Sequence, residues 1–242
     1  MNAAALFLVT HGSSDRRSWL ALQNLVTVAR SQSHFHIGGG CLEGQELTLS
    51  QQLGEFATEV IQGGGTEIVI VPLFLLEGVH VSEDIPAEVA IAKSKLQGKL
   101  QGKLPEKLKF RVTAHLGTNP QIPSLLSQHF EKHETGAEQS ARIVMAHGSR
   151  RAGANQVIED LANQSHAIAA YWGVEPKIET QIENLLSQGL NKINVLPYFL
   201  NAGGITEAIA RKLEPYCDRA QIQQLPVPLS SEQIIDLALK FI

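Results

Sequence analysis

A chain of 242 residues with 43% hydrophobic side chains can bury a core of ordinary size, as one large domain or two small ones. A formal net charge of −4, a sequence pI near 6.1 and only 5% aromatic residues exclude a basic, base-stacking nucleic-acid platform. Two cysteines far apart, Cys41 and Cys217, exclude a disulfide scaffold and a cysteine-rich metal site, and point to a reducing compartment, the cytoplasm.

The opening "MNAAALFLV" is apolar but carries no basic leader and is too short to span a bilayer, so it reads as a strand centred on "AALFLVT", residues 4–10. The strand runs into His11. Gly12 then permits a sharp turn, and Ser13 or Ser14 is placed to cap the next helix. In "SWLALQNLVTVARS" the side chains Trp19, Leu22, Leu25, Val26 and Ala29 recur at helical spacing. "GGGCLEGQEL", residues 38–47, follows an apparent strand and delivers Glu43 and Glu46 to the same rim. The apolar run "IVIVPLFLL", residues 68–76, is half the length of a membrane helix and reads as a buried strand. Behind it "EGVHVSEDIP" supplies a loop with Gly78, then His80, then a capped helix start at Ser82, Glu83, Asp84 and Pro86. The near-tandem LQGK stretch over residues 93–110 holds Lys93, Lys95, Lys99, Lys103, Lys107 and Lys109, and reads as a solvated helix end rather than a cationic strip for a polyanion.

The second half repeats the first. His11 pairs with His147 of "VMAHGSRR", Pro72 with Pro197 of "NVLPYFL", and Leu116 with Leu229, at shifts of 136, 125 and 113. Three landmarks in order, with steadily shrinking offsets, indicate an internal duplication of roughly 120 residues per unit. The polar "HETGAEQSA", residues 133–141, reads as the linker between an amino-terminal half, residues 1–135, and a carboxy-terminal half, residues 140–242. Continuous apolar strands alternating with amphipathic helices imply two similar α/β halves, each a parallel sheet covered on both faces.

In such sheets ligands bind outside the carboxyl ends of the strands, so His11 and His80 share one rim. Two neutral imidazoles make a borderline-soft site of low coordination, suited to Fe²⁺, Co²⁺, Ni²⁺ or Zn²⁺, and equally able to take up protons. Glu43 beside them either completes a metal site or acts as a base.

"HGS" after the first strand, "CLE" after the second and "PLFLLEGVHVSEDIP" after the third together resemble the class II tetrapyrrole chelatases, the CbiX/SirB-type sirohydrochlorin chelatases, in their long form with two homologous halves. The resemblance spans nearly the whole chain. It implies two four-stranded parallel sheets flanked by helices, with the tetrapyrrole in the cleft between halves. It also implies insertion of Co²⁺ or Fe²⁺ into sirohydrochlorin in siroheme or cobalamin biosynthesis. The metal is then a substrate; no permanently bound cofactor, nucleic acid or membrane is expected. On this likeness His11 and His80 bind the incoming metal and assist deprotonation of the macrocycle, and Glu43 is the family's glutamate near them. The substrate's peripheral carboxylates are to be met at predicted helix starts by Ser13, Ser14, Arg16 and Arg17, and by Ser149, Arg150 and Arg151.

The second copy departs from this pattern. His147 keeps the place of His11, but Ile205 stands where His80 does, and no counterpart of Glu43 is found. One catalytic centre is therefore expected, in the first half, with the second half closing the pocket; for His147, positioning substrate and filling space both stay open. Some long-form relatives end in a histidine-rich tail or a cysteine set for an iron–sulfur cluster, whereas "IIDLALKFI" carries neither, so no cluster or storage tail is expected. A histidine phosphatase needs an arginine directly before the histidine, where this chain has Thr10 or Ala146. A non-enzymatic metal or tetrapyrrole carrier is the remaining alternative.

Overall fold

The computed structural model describes residues 4–99, 108–134 and 140–242. Its elements in chain order are β1 (Ala4–Gly12), α1 (Arg16–Gln32), β2 (His36–Glu43), α2 (Leu49–Gln62), β3 (Glu67–Pro72), α3 (Ile85–Lys99), β4 (Lys109–Val112) and α4 (Ile122–His133). The second series is β5 (Ala141–Ala146), α5 (Gln156–Gln164), β6 (Ile168–Tyr171), α6 (Ile178–Ser187), β7 (Lys192–Pro197), α7 (Gly204–Leu213), β8 (Gln221–Gln224) and α8 (Ser231–Leu239). The strands form two parallel four-stranded sheets of identical order, β2-β1-β3-β4 and β6-β5-β7-β8. The repeat pairing read from the prolines holds in the register: Pro72 lies opposite Val9, and Pro197 lies opposite Met145.

Hydrophobic pattern explains each layer. Residues Ala5–Thr10 of β1 are all buried, as a central strand covered on both faces must be. One face packs on α2, whose Leu49, Leu53, Phe56, Ala57 and Val60 form a helical stripe; Phe7 and Phe56 meet with ring centroids 5.1 Å apart. Leu22, Leu25, Val26 and Ala29 of α1 are buried as their spacing predicts, while Trp19 is only half-buried.

The triglycine lies inside a strand, not in a loop after one. β2 is an edge strand, and a Cβ on Gly38 would come within 2.4 Å of the Phe56 ring. The glycines let the flanking helices close onto the sheet, which a search for β-branched residues cannot detect. The apolar run 68–76 is likewise strand only as far as Pro72; Leu73 adds one further bond to the Val9 carbonyl, and the rest is a loop that remains partly buried.

The chain divides into two compact units, residues 1–119 with 229–242, and residues 120–228. They do not coincide with the sequence halves: α8 packs in the first unit, where Asn24 donates to Ser231 at 2.8 Å, and α4 packs in the second. There α4 is tied to β5 by Arg142, which donates to both Glu134 oxygens at 2.8 and 2.9 Å and lies over the Phe130 ring. The pairing holds the Glu134 carboxyl below its ordinary value and raises the Arg142 guanidinium. A depressed carboxyl contributes stability above its unfolded value and loses it as pH falls, so this bond weakens on acidification. Arg142→Ala leaves Glu134 without its partner and is expected to cost about 3 kcal/mol. A chemical melt showing no loss would contradict that role.

Residues 100–107 and 135–139 lie outside the described residues. Lys103, Lys107 and most of the linker are among them. Lys93 and Lys95 are exposed on α3, and Lys109 is exposed on β4. No helix among the described residues is long and apolar enough to cross a membrane.

Candidate functional site

The sheet order reverses at β1, whose neighbours β2 and β3 leave in opposite directions; the carboxyl end of such a strand is where open α/β sheets leave a crevice. His11 occupies that end, Glu43 closes β2 beside it, and His80 follows β3. All three belong to the first compact unit.

Gly12 turns the chain out of β1 with φ +78°, and a Cβ there would stand 2.1 Å from the Glu43 carbonyl oxygen. Only glycine fits, and the close approach draws the ends of β1 and β2 together, bringing His11 near Glu43. The cap of α1 is Asp15, not Ser13 or Ser14: its carboxylate accepts from the Arg17 backbone N–H at 2.9 Å and pairs with the Arg17 guanidinium, an interaction that lowers its pKa. Ser13, Ser14 and Arg16 are exposed around that turn.

His80 does not sit in a loop before a capped helix. It opens a single π turn, His80–Asp84, that runs into α3 and is closed by the Ile85 N–H donating to the His80 carbonyl. The turn has a sequence cause. Between Pro72 and the first buried helix residue, Ile85, the chain is one residue longer than between Pro197 and Ile209. A π turn absorbs one extra residue without breaking the helix. Within this turn Asp84 stands four residues beyond His80, whose Nδ1 donates to the Asp84 carboxylate at 2.7 Å. By sequence Asp84 belongs to a capped helix start; the His-x-x-x-Asp spacing is the signal that marks its contact with His80.

The imidazoles meet edge to face, centroids 4.5 Å apart at 90°, with Nε2 of His11 and Nε2 of His80 separated by 3.1 Å. The Phe74 ring stands 6.4 and 6.5 Å from them. Hydrogen-bond partners fix the tautomers. His11 Nδ1 lies 2.9 Å from the Gly12 carbonyl and His80 Nδ1 lies 2.7 Å from a carboxylate; both partners only accept, so in each neutral ring the hydrogen is on Nδ1. Two Nε2 lone pairs then face each other at hydrogen-bond distance. That arrangement calls for a cation between them, a proton or a metal ion.

Glu43 stands on the other side of His11, its Oε2 4.0 Å from Nδ1, so it does not share the space between the Nε2 atoms. Among the described residues no group of three or more His, Cys, Asp or Glu side chains comes together to hold an ion. Burial pushes the Cys41 thiol up, and its Sγ donates to the Glu43 carbonyl, so it offers no thiolate to the site. The side chains of His11, His80, Glu43 and Asp84 are between 40 and 59% exposed, which leaves the pair open to an incoming ligand. Glu46, expected on the same rim, instead lines a cavity of about 600 Å³ along β2 with Trp19 and Gln23.

The second unit preserves the scaffold and not the constellation. Gly148 repeats the positive φ of Gly12, and His147 is exposed at the end of β5. Register now supplies the missing counterpart: Thr10 pairs with Cys41 as Ala146 pairs with Tyr171, so Gly173 takes the place of Glu43. Counted from Pro197, Ile205 takes the place of His80; counted back from Ile209, Gly204 does. Neither offers a ligand. Ser149, Arg150 and Arg151 do not lie at a helix start, because α5 begins only at Gln156; Asn155 reaches back to the Ser149 backbone N–H and carbonyl and holds the intervening loop.

Comparison with known proteins agrees with this architecture. Over 165 residues the chain is 27% identical to a sirohydrochlorin cobaltochelatase of Priestia megaterium, covering 63% of this chain and 51% of that protein. It is 25% identical over 139 residues to a chloroplastic sirohydrochlorin ferrochelatase of Arabidopsis thaliana, covering 56% of each. The chain thus spans about half the length of the curated relatives it matches. Among solved structures, SirB from Bacillus subtilis with Fe³⁺ superposes with a TM-score of 0.80 at 17% identity, covering all of this chain and 94% of that one. CbiX, described as the terminal enzyme of siroheme biosynthesis in denitrifying bacteria, superposes at 0.64 with 18% identity, over 98% of this chain and 99% of that one. At these identities the superpositions establish the fold. The CbiX family matches residues 5–133 and 141–235, one segment in each repeat, and the chain belongs to that family.

Proposed function

We infer that the protein inserts a divalent metal ion, Co²⁺ or Fe²⁺, into sirohydrochlorin, as a cytoplasmic enzyme with a single centre at His11 and His80. The observation that carries this reading is the 3.1 Å separation of two Nε2 atoms whose tautomers both present lone pairs. With metal–nitrogen bonds of about 2.05 Å, that separation corresponds to an N–metal–N angle of about 100°, acceptable to tetrahedral and octahedral ions alike. Membership of the CbiX family and likeness to proteins named as cobalto- and ferrochelatases support the substrate class.

Metal insertion requires a partly dehydrated ion held against the ring, and two pyrrole N–H protons removed as the ion enters. Two imidazoles hold the ion while leaving positions that ring nitrogens can take in turn, whereas a closed four-ligand cage would retain it. Glu43, exposed and beside the site but outside the ligand space, suits the proton-accepting role, a contribution of about a hundredfold or more. Ser13, Ser14 and Arg16 on the adjoining turn supply donors for peripheral carboxylates.

The experiment mixes purified protein with excess sirohydrochlorin and Co²⁺ and follows the absorption of the metallated ring. An enzyme gives many turnovers per chain. Metallation that stops at one equivalent would identify a carrier and overturn the reading.

A further inference from the structure

The two imidazoles are anchored differently. His11 Nδ1 is held by a neutral backbone carbonyl one residue away, whereas His80 Nδ1 is held by the carboxylate of Asp84 at 2.7 Å. That contact is an i, i+4 pair within the π turn that takes up the extra residue between Pro72 and Ile85. In the second unit the corresponding segment lacks that residue, and α7 starts at Gly204 without such a turn.

We propose that Asp84 is a positioning residue for metal delivery: it locks the His80 ring with Nε2 aimed at His11 and makes that nitrogen the stronger donor of the pair. This rests on the reading of the site given above. Two physical effects combine. Accepting the Nδ1 hydrogen excludes the tautomer in which Nε2 is protonated and useless as a ligand, and it fixes the ring's rotation about its side-chain bonds. A negative partner also pushes electron density toward Nε2, raising its affinity for a cation, where the Gly12 carbonyl offers only a dipole. The site is therefore unequal, with a tight ligand at His80 and a looser one at His11, and His11 is the ligand released first when ring nitrogens begin to bind. Asp84 is not itself a ligand, since its carboxylate engages the opposite edge of the ring.

Asp84→Asn and Asp84→Ala separate the effects, because an asparagine oxygen still accepts from Nδ1 and keeps the tautomer without the charge. Co²⁺ titrations of the unliganded full chain, read by the visible bands of the bound ion, are compared with steady-state turnover. Expected is a 10- to 100-fold loss of Co²⁺ affinity in Asp84→Ala and a smaller loss in Asp84→Asn, each with a matching rise in KM for the metal. The KM for sirohydrochlorin should be unchanged, a split that general unfolding would not produce. His80→Ala is run beside them. If His80→Ala loses metal while both Asp84 variants bind as the wild type does, Asp84 positions nothing and the site assignment stands. If His80→Ala itself binds and turns over normally, the assignment fails and the inference with it.

Discussion

His80→Ala is expected to lower sirohydrochlorin metallation by at least about 10³-fold while leaving the melting temperature close to that of the wild type. The activity loss combines removal of one of two ligands with loss of the orientation that holds the ion against the ring, effects that each reach two or more orders of magnitude. Stability should change little because the imidazole is 40% exposed, outside the buried cluster of β1, β3, α2 and α3. Steady-state turnover beside a thermal melt checks both halves. Full activity in this variant would remove the basis for a histidine-held ion, whatever the family membership.

Gly12→Ala is expected to cost both fold and function. A side chain at φ +78° is strained by about 1–3 kcal/mol, and this one also drives a carbon to within 2.1 Å of the Glu43 carbonyl. With the two costs together the first unit should lose about 4 kcal/mol, or about 15 °C in melting temperature. The end of β2 must retreat, moving His11 and Glu43 relative to His80, and a displacement of about 1 Å is enough for a hundredfold loss of rate. Gly148→Ala is the matched control in the second unit. There the added carbon meets Tyr171 and Val174 side-chain atoms at 2.8 Å, so it should destabilise but leave Co²⁺ affinity unchanged. Equal losses of metal affinity in the two variants would contradict a single centre.

Much of the fold was legible because its signals are periodic. Central strands such as β1 are unbroken apolar runs, helices such as α2 carry a stripe of large side chains, and the repeat recurs at the same strand ends. Positions that failed obey close contacts rather than period. The triglycine of β2 looks like a loop until Phe56 is placed against it, and the Asn155 clamp that delays α5 is a local hydrogen bond that no hydrophobic pattern records.

At the site, the strand-end histidines were legible from their place after apolar runs; Glu43 was legible only as part of a segment following a strand, whereas it ends β2 itself. Asp84 was not, because a one-residue insertion leaves both the strand pattern before it and the helix pattern after it intact. Only the difference between the shift of Pro72 to Pro197 and that of Ile85 to Ile209 betrays the π turn. The exchange of α4 and α8 between compact units was equally invisible, since each helix keeps its amphipathic pattern wherever it packs.

The most direct measurement is X-ray absorption at the cobalt edge of the protein loaded with one equivalent of Co²⁺. Two imidazole nitrogens at about 2.0–2.1 Å, falling to one in either His11→Ala or His80→Ala, is the predicted result. A first shell made only of water and carboxylate oxygen, or one unaltered in both variants, would contradict it.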